Sequence, residues 1–432
     1  MKSHPWRASK VLGTENALRV CRVLAMNSLI LFVSSVISIP RLIAQESGSK
    51  ANSTLYVDTL FENASPLWYA IDARGALQIH LLYDHERDSP NRAAGHFHFR
   101  IHGAADQRIR VEFNNLSNVW NSTPGSVARE LLAAVVSDDG RDWRSIPLEP
   151  TEDGRVFGVV ELNHGSQYVA RVEPYRISDL QKLMARIEGQ RNVAITKIGE
   201  TVEGRNLEMI RIGRDEAENQ VFLRARAHPW EAGGNWVVEG VLETLLSEGA
   251  NRTRFLESMC VHILPMANLD GVARGRTRFN SMGKDLNRDW NLPTIESLCP
   301  ENYALEKWLQ SRIQSGRAPD LALELHNDGN GKLHISRPPG VDLEKHIERM
   351  EFLESLLRRY TWFTEGSTKA NYRNAGTLGE GWLMRFGIDA AVHEFNCNVI
   401  AATGERPMAK HWRAYGNQLP LVLVDYFKNR PQ

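Results

Sequence analysis

Cysteine is scarce in this chain, with four in 432 residues: Cys21, Cys260, Cys299 and Cys397. None belongs to a Cys-x-x-Cys pair, so a thiolate zinc site and a disulfide framework are both excluded as the basis of the fold. Cys21 falls in an N-terminal leader, and the other three are expected to be buried free thiols, with one disulfide at most. Net charge is missing too, because 52 Lys and Arg balance 52 Asp and Glu. A general nucleic-acid binder needs a basic excess or stripe to neutralise phosphates, and none is present. No period of 20–50 residues recurs, which rules out a solenoid or propeller. What remains, 42% hydrophobic and 24% charged residues, is the composition of an ordinary globular protein.

Long apolar runs are also absent, apart from one near the start. Lys2, Arg7, Lys10, Arg19 and Arg22 precede an uncharged stretch from Leu29 to Ile39. A basic region followed by a short apolar run is the pattern of a secretory signal peptide. Residues 1–44 are therefore expected to be a leader, cut after Ala44, and the mature protein periplasmic or extracellular. Counting from Val23 gives a marginal membrane anchor, and a start at Met26 gives a cytoplasmic protein; both alternatives stay open. No stable membrane partner is expected.

Residues 45–54 are small and polar, as in a linker. From 55 to 174, short runs alternate apolar and polar residues: Leu77–Leu82, His96–His102, Arg108–Phe113, Val156–Leu162 and Tyr168–Val172. Turn residues interrupt them at regular intervals, which predicts a small antiparallel β-sandwich. His96, His98 and His102 have no carboxylate nearby and are read as structural. From 175 to 432, strand-like and helical runs alternate, predicting an α/β domain with helices covering a mixed sheet. Its expected elements include a helix from Asp179 to Ile187 capped by Ser178, a strand at Val221–Ala227 and a helix from Gly234 to Leu246. Further elements are a strand at Met259–Met266, a helix at Tyr303–Ile313, a strand at Leu321–Leu325, a helix at Ile347–Tyr360 and a strand at Ile388–Phe395.

His228-Pro-Trp-Glu231 follows a strand and precedes a helix, where open α/β sheets place their sites. An imidazole and a carboxylate across a tight turn can face one cation, although such a pair alone is weak evidence. His326 ends the Leu321–Leu325 strand and supplies a third donor. Three protein ligands leave one position for water, as in a catalytic rather than a structural zinc site. Glu394, at the end of a later strand, could take a proton from that water. Between them lie Arg278 and the Asp285-Leu-Asn287-Arg288 segment. Guanidinium groups bind carboxylates through paired hydrogen bonds, so Arg278 and Arg288 suit a negatively charged substrate terminus.

The order His-Pro-x-Glu, Asn268-Leu-Asp-Gly271, Arg278, Leu-Asn-Arg-x-Trp290, His326, Tyr372, Glu394 resembles the zinc metallocarboxypeptidases, in their cytosolic-carboxypeptidase-like branch. That branch carries a β-sandwich ahead of its catalytic domain, with runs similar to Phe61–Ser65, to the segment before Trp143, and to Ile198–Leu207. The resemblance covers residues 55 to 425. It implies one Zn²⁺ per chain held by His228, Glu231 and His326, with Glu394 as general base. It also implies Arg278 on the scissile carbonyl, Asn287 and Arg288 on the substrate's C-terminal carboxylate, and Tyr372 as a substrate contact. The implied activity is removal of C-terminal residues from peptides or proteins. A zinc amidase or endopeptidase acting on cell-wall peptides or N-acyl amino acids is the alternative, and a non-catalytic binding protein on the same fold is a third reading.

Some features depart from the branch. Trp230 fills a position usually smaller, and Gly233-Gly234 stand where the helix usually begins sooner. Arg274 and Arg276 compete with Arg278 for its role. His334 and His393 are read as structural. Glu380, or Gly379 if the alignment slips, falls where the family's pocket determinant lies, and a glutamate there would favour a basic C-terminal residue.

Overall fold

The computed structural model describes residues 54–247, 250–340, 342–373 and 375–431. The expected leader, and all of the expected linker except Thr54, lie outside the described residues. Residues Asn52–Gln432 form one compact unit. Among the described residues, no helix is long and apolar enough to cross a membrane.

The alternating runs of the first part become two five-stranded sheets. One has the order Tyr56–Asp58, His98–His102, Ser166–Ala170, Ala133–Ser137, Arg144–Pro147. The other has the order Glu149–Pro150, Val156–Leu162, Gln107–Asn114, Leu77–Leu81, Leu67–Ile71. Period-two patterning buries every second residue of Leu77–Leu81 and of Val156–Leu162. Phe97, Phe99, Ile101, Val136 and Val169 meet Ile79, Val111, Phe113 and Val160 in one apolar core. The pairing departs from the antiparallel expectation once, where Leu77–Leu81 runs parallel to Gln107–Asn114.

A separate small sheet joins Asp84–His85, Arg92–Ala93, Ser117–Trp120 and Thr123–Ser126. Its hairpin turns at Asn121 and Ser122, both at positive φ (49° and 61°), as a tight two-residue loop requires. The histidines of this region have structural surroundings. His98 is buried with Nδ1 3.2 Å from Asn63 Oδ1, and His102 stacks on Tyr56 with ring centroids 4.5 Å apart.

The later strands form one seven-stranded mixed sheet. Its order is Val193–Glu200, Asn206–Ile212, Met259–Leu264, Asn219–Ala225, Leu321–Asp328, Asp389–Asn396, Leu333–Ile335. The four consecutive strands from Met259–Leu264 to Asp389–Asn396 are parallel, and the flanking ones are antiparallel. Parallel strands covered on both faces read as unbroken apolar runs, and Met259–Leu264 is buried throughout.

Helices Ile177–Ile187, Gly233–Leu246, Glu344–Tyr360 and Ala409–Asn429 share one core cluster with the sheet, while Pro300–Gln314 and Leu378–Phe386 share another. Gly233–Leu246 and Ala409–Asn429 cross backbone to backbone. A Cβ on Gly416 would stand 2.0 Å from Val237 O, and one on Gly240 2.1 Å from Arg413 O.

One expected cap is corrected. The first helix begins at Ile177, so Ser178 lies inside its first turn. Asp179 takes the capping role by accepting from the Arg176 backbone N–H at 3.0 Å. A carboxylate in the first turn both satisfies a free donor and meets the positive end of the helix dipole. The three described cysteines are free, with Cys260 and Cys299 buried.

Candidate metal centre and active site

Strand ends bring the site together. His326 lies on Leu321–Asp328 and pairs in register with Glu394 on the neighbouring parallel strand Asp389–Asn396. The adjacent strand Asn219–Ala225 stops at Arg226, a non-glycine residue at φ 62°. Such left-handed geometry costs energy and persists only where its surroundings hold it. Here the buried Arg226 side chain holds it, donating from Nε to Pro229 O (2.7 Å) and from Nη1 to Asn235 Oδ1 (2.9 Å). The clamped turn carries His228 and Glu231.

The following helix starts close against the His326 strand. Gly233 N–H donates to Asn327 Oδ1 at 2.8 Å, and a Cβ on Gly233 would stand 2.6 Å from the Asn327 amide. The Gly233-Gly234 pair is therefore what lets the helix approach. Trp230 lies under the Arg171 guanidinium, whose carbon is 3.6 Å from its ring centroid, and both line the site cavity.

His228, Glu231 and His326 converge, with one donor atom from each lying within 4.8 Å of the others. His228 Nδ1 is 2.8 Å from Glu231 Oε1, and His326 Nδ1 is 2.6 Å from Glu231 Oε2. The two Nδ1 atoms are 3.2 Å apart. Tetrahedral ligands at zinc–nitrogen distances stand about 3.3 Å from one another, so two imidazoles and a carboxylate at this spacing fit zinc.

The outward ring nitrogens are held as metal-bound histidines usually are. His228 Nε2 is 3.0 Å from Asp285 Oδ1. His326 Nε2 is 3.3 Å from Glu324 Oε1 and 3.2 Å from Asn287 Nδ2. Glu324 is buried and paired with the equally buried Arg224 at 3.0 Å. The electrostatics follow from these contacts. Burial pushes the Glu231 carboxyl up, but His228 and His326 outweigh it and hold the group well below the usual carboxylate range. Burial likewise opposes ionisation of Asp285, and Arg278 with His228 reverses the balance.

Asp285 and Glu324 were missed by sequence reasoning. Glu324 sits two residues before His326, hence on the same strand face. That spacing was the available signal for it.

Glu394, Arg278, Asn287, Arg288 and Tyr372 line one cavity of about 340 Å³, together with Glu231 and Trp230. Glu394 Oε2 is buried and has no hydrogen-bond partner among the described residues. Burial and then Asp328 push its carboxyl well above the normal range, against the pull of His326 and Arg278. Arg278 donates from Nε to Asp285 Oδ2 at 2.8 Å. Asn287 is partly committed, with Nδ2 toward His326 and Oδ1 accepting from Leu378 N–H at 2.8 Å. Arg288 is half-buried, and its Nη1 donates to Asn287 O at 2.7 Å. Tyr372 is 42% exposed and meets His334 edge-on, with centroids 5.1 Å apart.

The competing assignments separate. Arg274 pairs with Glu203 and Arg276 with Asp84, and both line a different cleft. His393 is buried against Tyr415 (Nε2 to OH, 2.6 Å), as a structural residue would be. His334, read as structural, instead lines the site cavity. Glu380 is buried in an ion pair with Arg373 at 2.7 Å and is not among the residues lining the cavity. A second His-and-acid cluster, Asp215, Cys260 and His262, lies elsewhere. Its carboxylate is already neutralised by Arg312 (2.7 Å) and Arg317 (2.6 Å).

Comparison with known proteins agrees with this geometry. Residues 180–324 match the zinc carboxypeptidase family. An uncharacterised protein of Zymomonas mobilis is 31% identical over 201 residues, covering 46% of this chain and 51% of that protein. Cytosolic carboxypeptidase 6 of Caenorhabditis elegans is 30% identical over 244 residues, covering 54% of this chain and 48% of that protein. The chain thus spans about half the length of these two relatives. The crystal structure of a metallo-carboxypeptidase from Burkholderia cenocepacia superposes with a TM-score of 0.75 at 20% identity, covering 87% of this chain and 99% of that one. Residues 180–324 thus resemble zinc carboxypeptidases, cytosolic carboxypeptidases are among the proteins to which the chain is similar, and its fold is that of metallo-carboxypeptidases.

Proposed function

We propose that the protein is a zinc-dependent carboxypeptidase that removes C-terminal residues from peptides or proteins. The observation that carries this reading is the convergence of three metal donors, one of which, Glu231, lines a cavity shared with two guanidinium groups and with Glu394, whose Oε2 is buried and without a hydrogen-bond partner among the described residues. His228, Glu231 and His326 hold the metal, one ion per chain. When bound, zinc supplies Lewis acidity and lowers the pKa of a coordinated water.

Asp285 and Glu324 fix the two imidazoles so that Nδ1 of each faces inward. Glu394 accepts a proton at Oε2 from the attacking water and returns it to the leaving amine. Arg278 meets negative charge that develops on the scissile carbonyl oxygen, an interaction that strengthens only as the bond breaks. Arg288 and the free face of Asn287 bind the C-terminal carboxylate, and Tyr372 covers the substrate from the cavity mouth. Glu380 is engaged with Arg373, so a preference for basic C-terminal residues has no support from its position.

Zinc analysis combined with peptides bearing free or amidated C-termini tests the proposal. Stoichiometric zinc and turnover restricted to free carboxylates is the expected outcome. Equal cleavage of amidated peptides would instead indicate an amidase or endopeptidase, and a protein without zinc a binding role. We also read residues 1–44 as an export leader and residues 55–174 and 175–432 as successive domains. A mature protein that begins at Met1 or Met26 would overturn the leader.

A further inference from the structure

Arg278 and Arg288 carry positive charge side by side, and both depend on the loop between residues 272 and 288. That loop is held from outside the seven-stranded sheet. Asn63 Nδ2 donates to Val272 O at 2.8 Å, and Arg87 N–H donates to Gly283 O at 2.8 Å. The buried Asp84 carboxylate accepts, through Oδ2, from the backbone N–H groups of both Thr277 and Arg278, at 2.7 Å each. His96 N–H donates to Thr277 Oγ1 at 3.3 Å. All four anchors belong to the N-terminal β region, with Asp84 in its small four-stranded sheet.

The same region reaches the guanidinium groups themselves. Trp120 ends the first strand of the 117–126 hairpin and lines the cavity. The Arg278 guanidinium carbon lies 4.2 Å from the centroid of its indole, and that of Arg288 lies 5.0 Å from it. The face of an indole attracts a cation within about 6 Å. One ring thus serves two cations that repel each other, while the Asp285 carboxylate attracts both and is hydrogen-bonded to Arg278.

We infer that Trp120 is a positioning residue of this active site: it sets the two arginines at the spacing needed to read a terminal carboxylate and the carbonyl next to it, with Asp84 fixing the backbone beneath Arg278. The N-terminal sheets are then part of the catalytic apparatus and not an appendage. The kinetic consequence rests on the function proposed above, whereas the placement of the arginines does not.

The test uses the full chain with zinc bound. Trp120→Ala is expected to raise KM for a free-carboxylate peptide and to lower kcat, together reducing kcat/KM by about tenfold, the scale of two lost cation–π contacts. Trp120→Phe, which keeps an aromatic face, recovers most of the loss. The melting temperature stays at the parent value in both variants. Trp68→Ala, which removes an aromatic stacked on His80 outside the cavity, is the control and leaves the kinetics unchanged. Parent-like constants in Trp120→Ala, or no recovery in Trp120→Phe, would overturn the inference. Crystal structures of the parent and of Trp120→Ala decide the matter without any activity. The inference requires both guanidinium groups to leave their positions, and finding both in place would sink it. A parent enzyme inactive on every peptide would count against the proposed function and leave this structural comparison decisive.

Discussion

At the scale of single residues, the three side chains that converge, His228, Glu231 and His326, were legible in the sequence, and the carboxylates behind the two histidines were not. His228, Glu231, His326 and Glu394 could be singled out because each lies near the end of an apolar strand run or in the turn after one, in an order the sequence displays. Asp285 and Glu324 act through histidines that only folding brings to them, so nothing local marks them beyond the placement of Glu324 two residues before His326. Trp120 and Asp84 come from a region whose link to the site is entirely tertiary. Glu324 offers a sharp test, since it shares a fully buried ion pair with Arg224. Removing one partner of such a pair leaves a charge without compensation and typically costs about 3–5 kcal/mol. Glu324→Gln should therefore lower unfolding free energy by about that amount in urea titration, and zinc affinity should fall with it as His326 loses the negative charge beside its Nε2. A variant as stable as the parent would mean that Arg224 finds its counter-charge elsewhere.

Among the elements, pattern and outcome agreed wherever one face of a strand or helix was buried. The alternation of Leu77–Leu81 is visible in the sequence because its outward residues, Gln78 and His80, are polar, and in Val156–Leu162 only Glu161 plays that part. The parallel pairing of Leu77–Leu81 with Gln107–Asn114 was not legible, because alternation is the same for either direction. The helix Ala409–Asn429 also went unread, since it carries Pro420 inside it and follows a loop rather than a strand. Its glycine at 416 now has a reason, because the backbone of the partner helix occupies the space a side chain would need. Gly416→Ala forces the helices apart, and overpacking of this kind costs about 1–3 kcal/mol. Thermal or urea denaturation should register that loss. An unchanged midpoint would show that the crossing can slide without penalty.

For the molecule as a whole, three buried histidines tie stability to pH. Burial is the main cause that lowers His98, His262 and His393 from 6.5 to about 3 each. Their folded-state values lie below their unfolded ones, so the unfolded chain binds more protons between these limits and stability rises with pH across that range. The contribution is complete above about 6.5 and drains away as pH falls toward 3. The urea midpoint should thus drop progressively below pH 6.5, and His98→Phe should make that decline shallower. A midpoint flat from pH 7 to 4.5 would contradict the assignment.

The register of His326 against Glu394 has one more consequence. Neighbouring strands stand about 4.8 Å apart, a spacing fixed by backbone hydrogen bonds and common to every sheet. The gap between the backbones that carry His326, a proposed metal donor, and Glu394, the proposed proton carrier, is thus a lattice constant of the sheet. Substitutions that spare the backbone pairing leave this ruler intact, so mutation can retune the cavity's walls while its central dimension stays as it was.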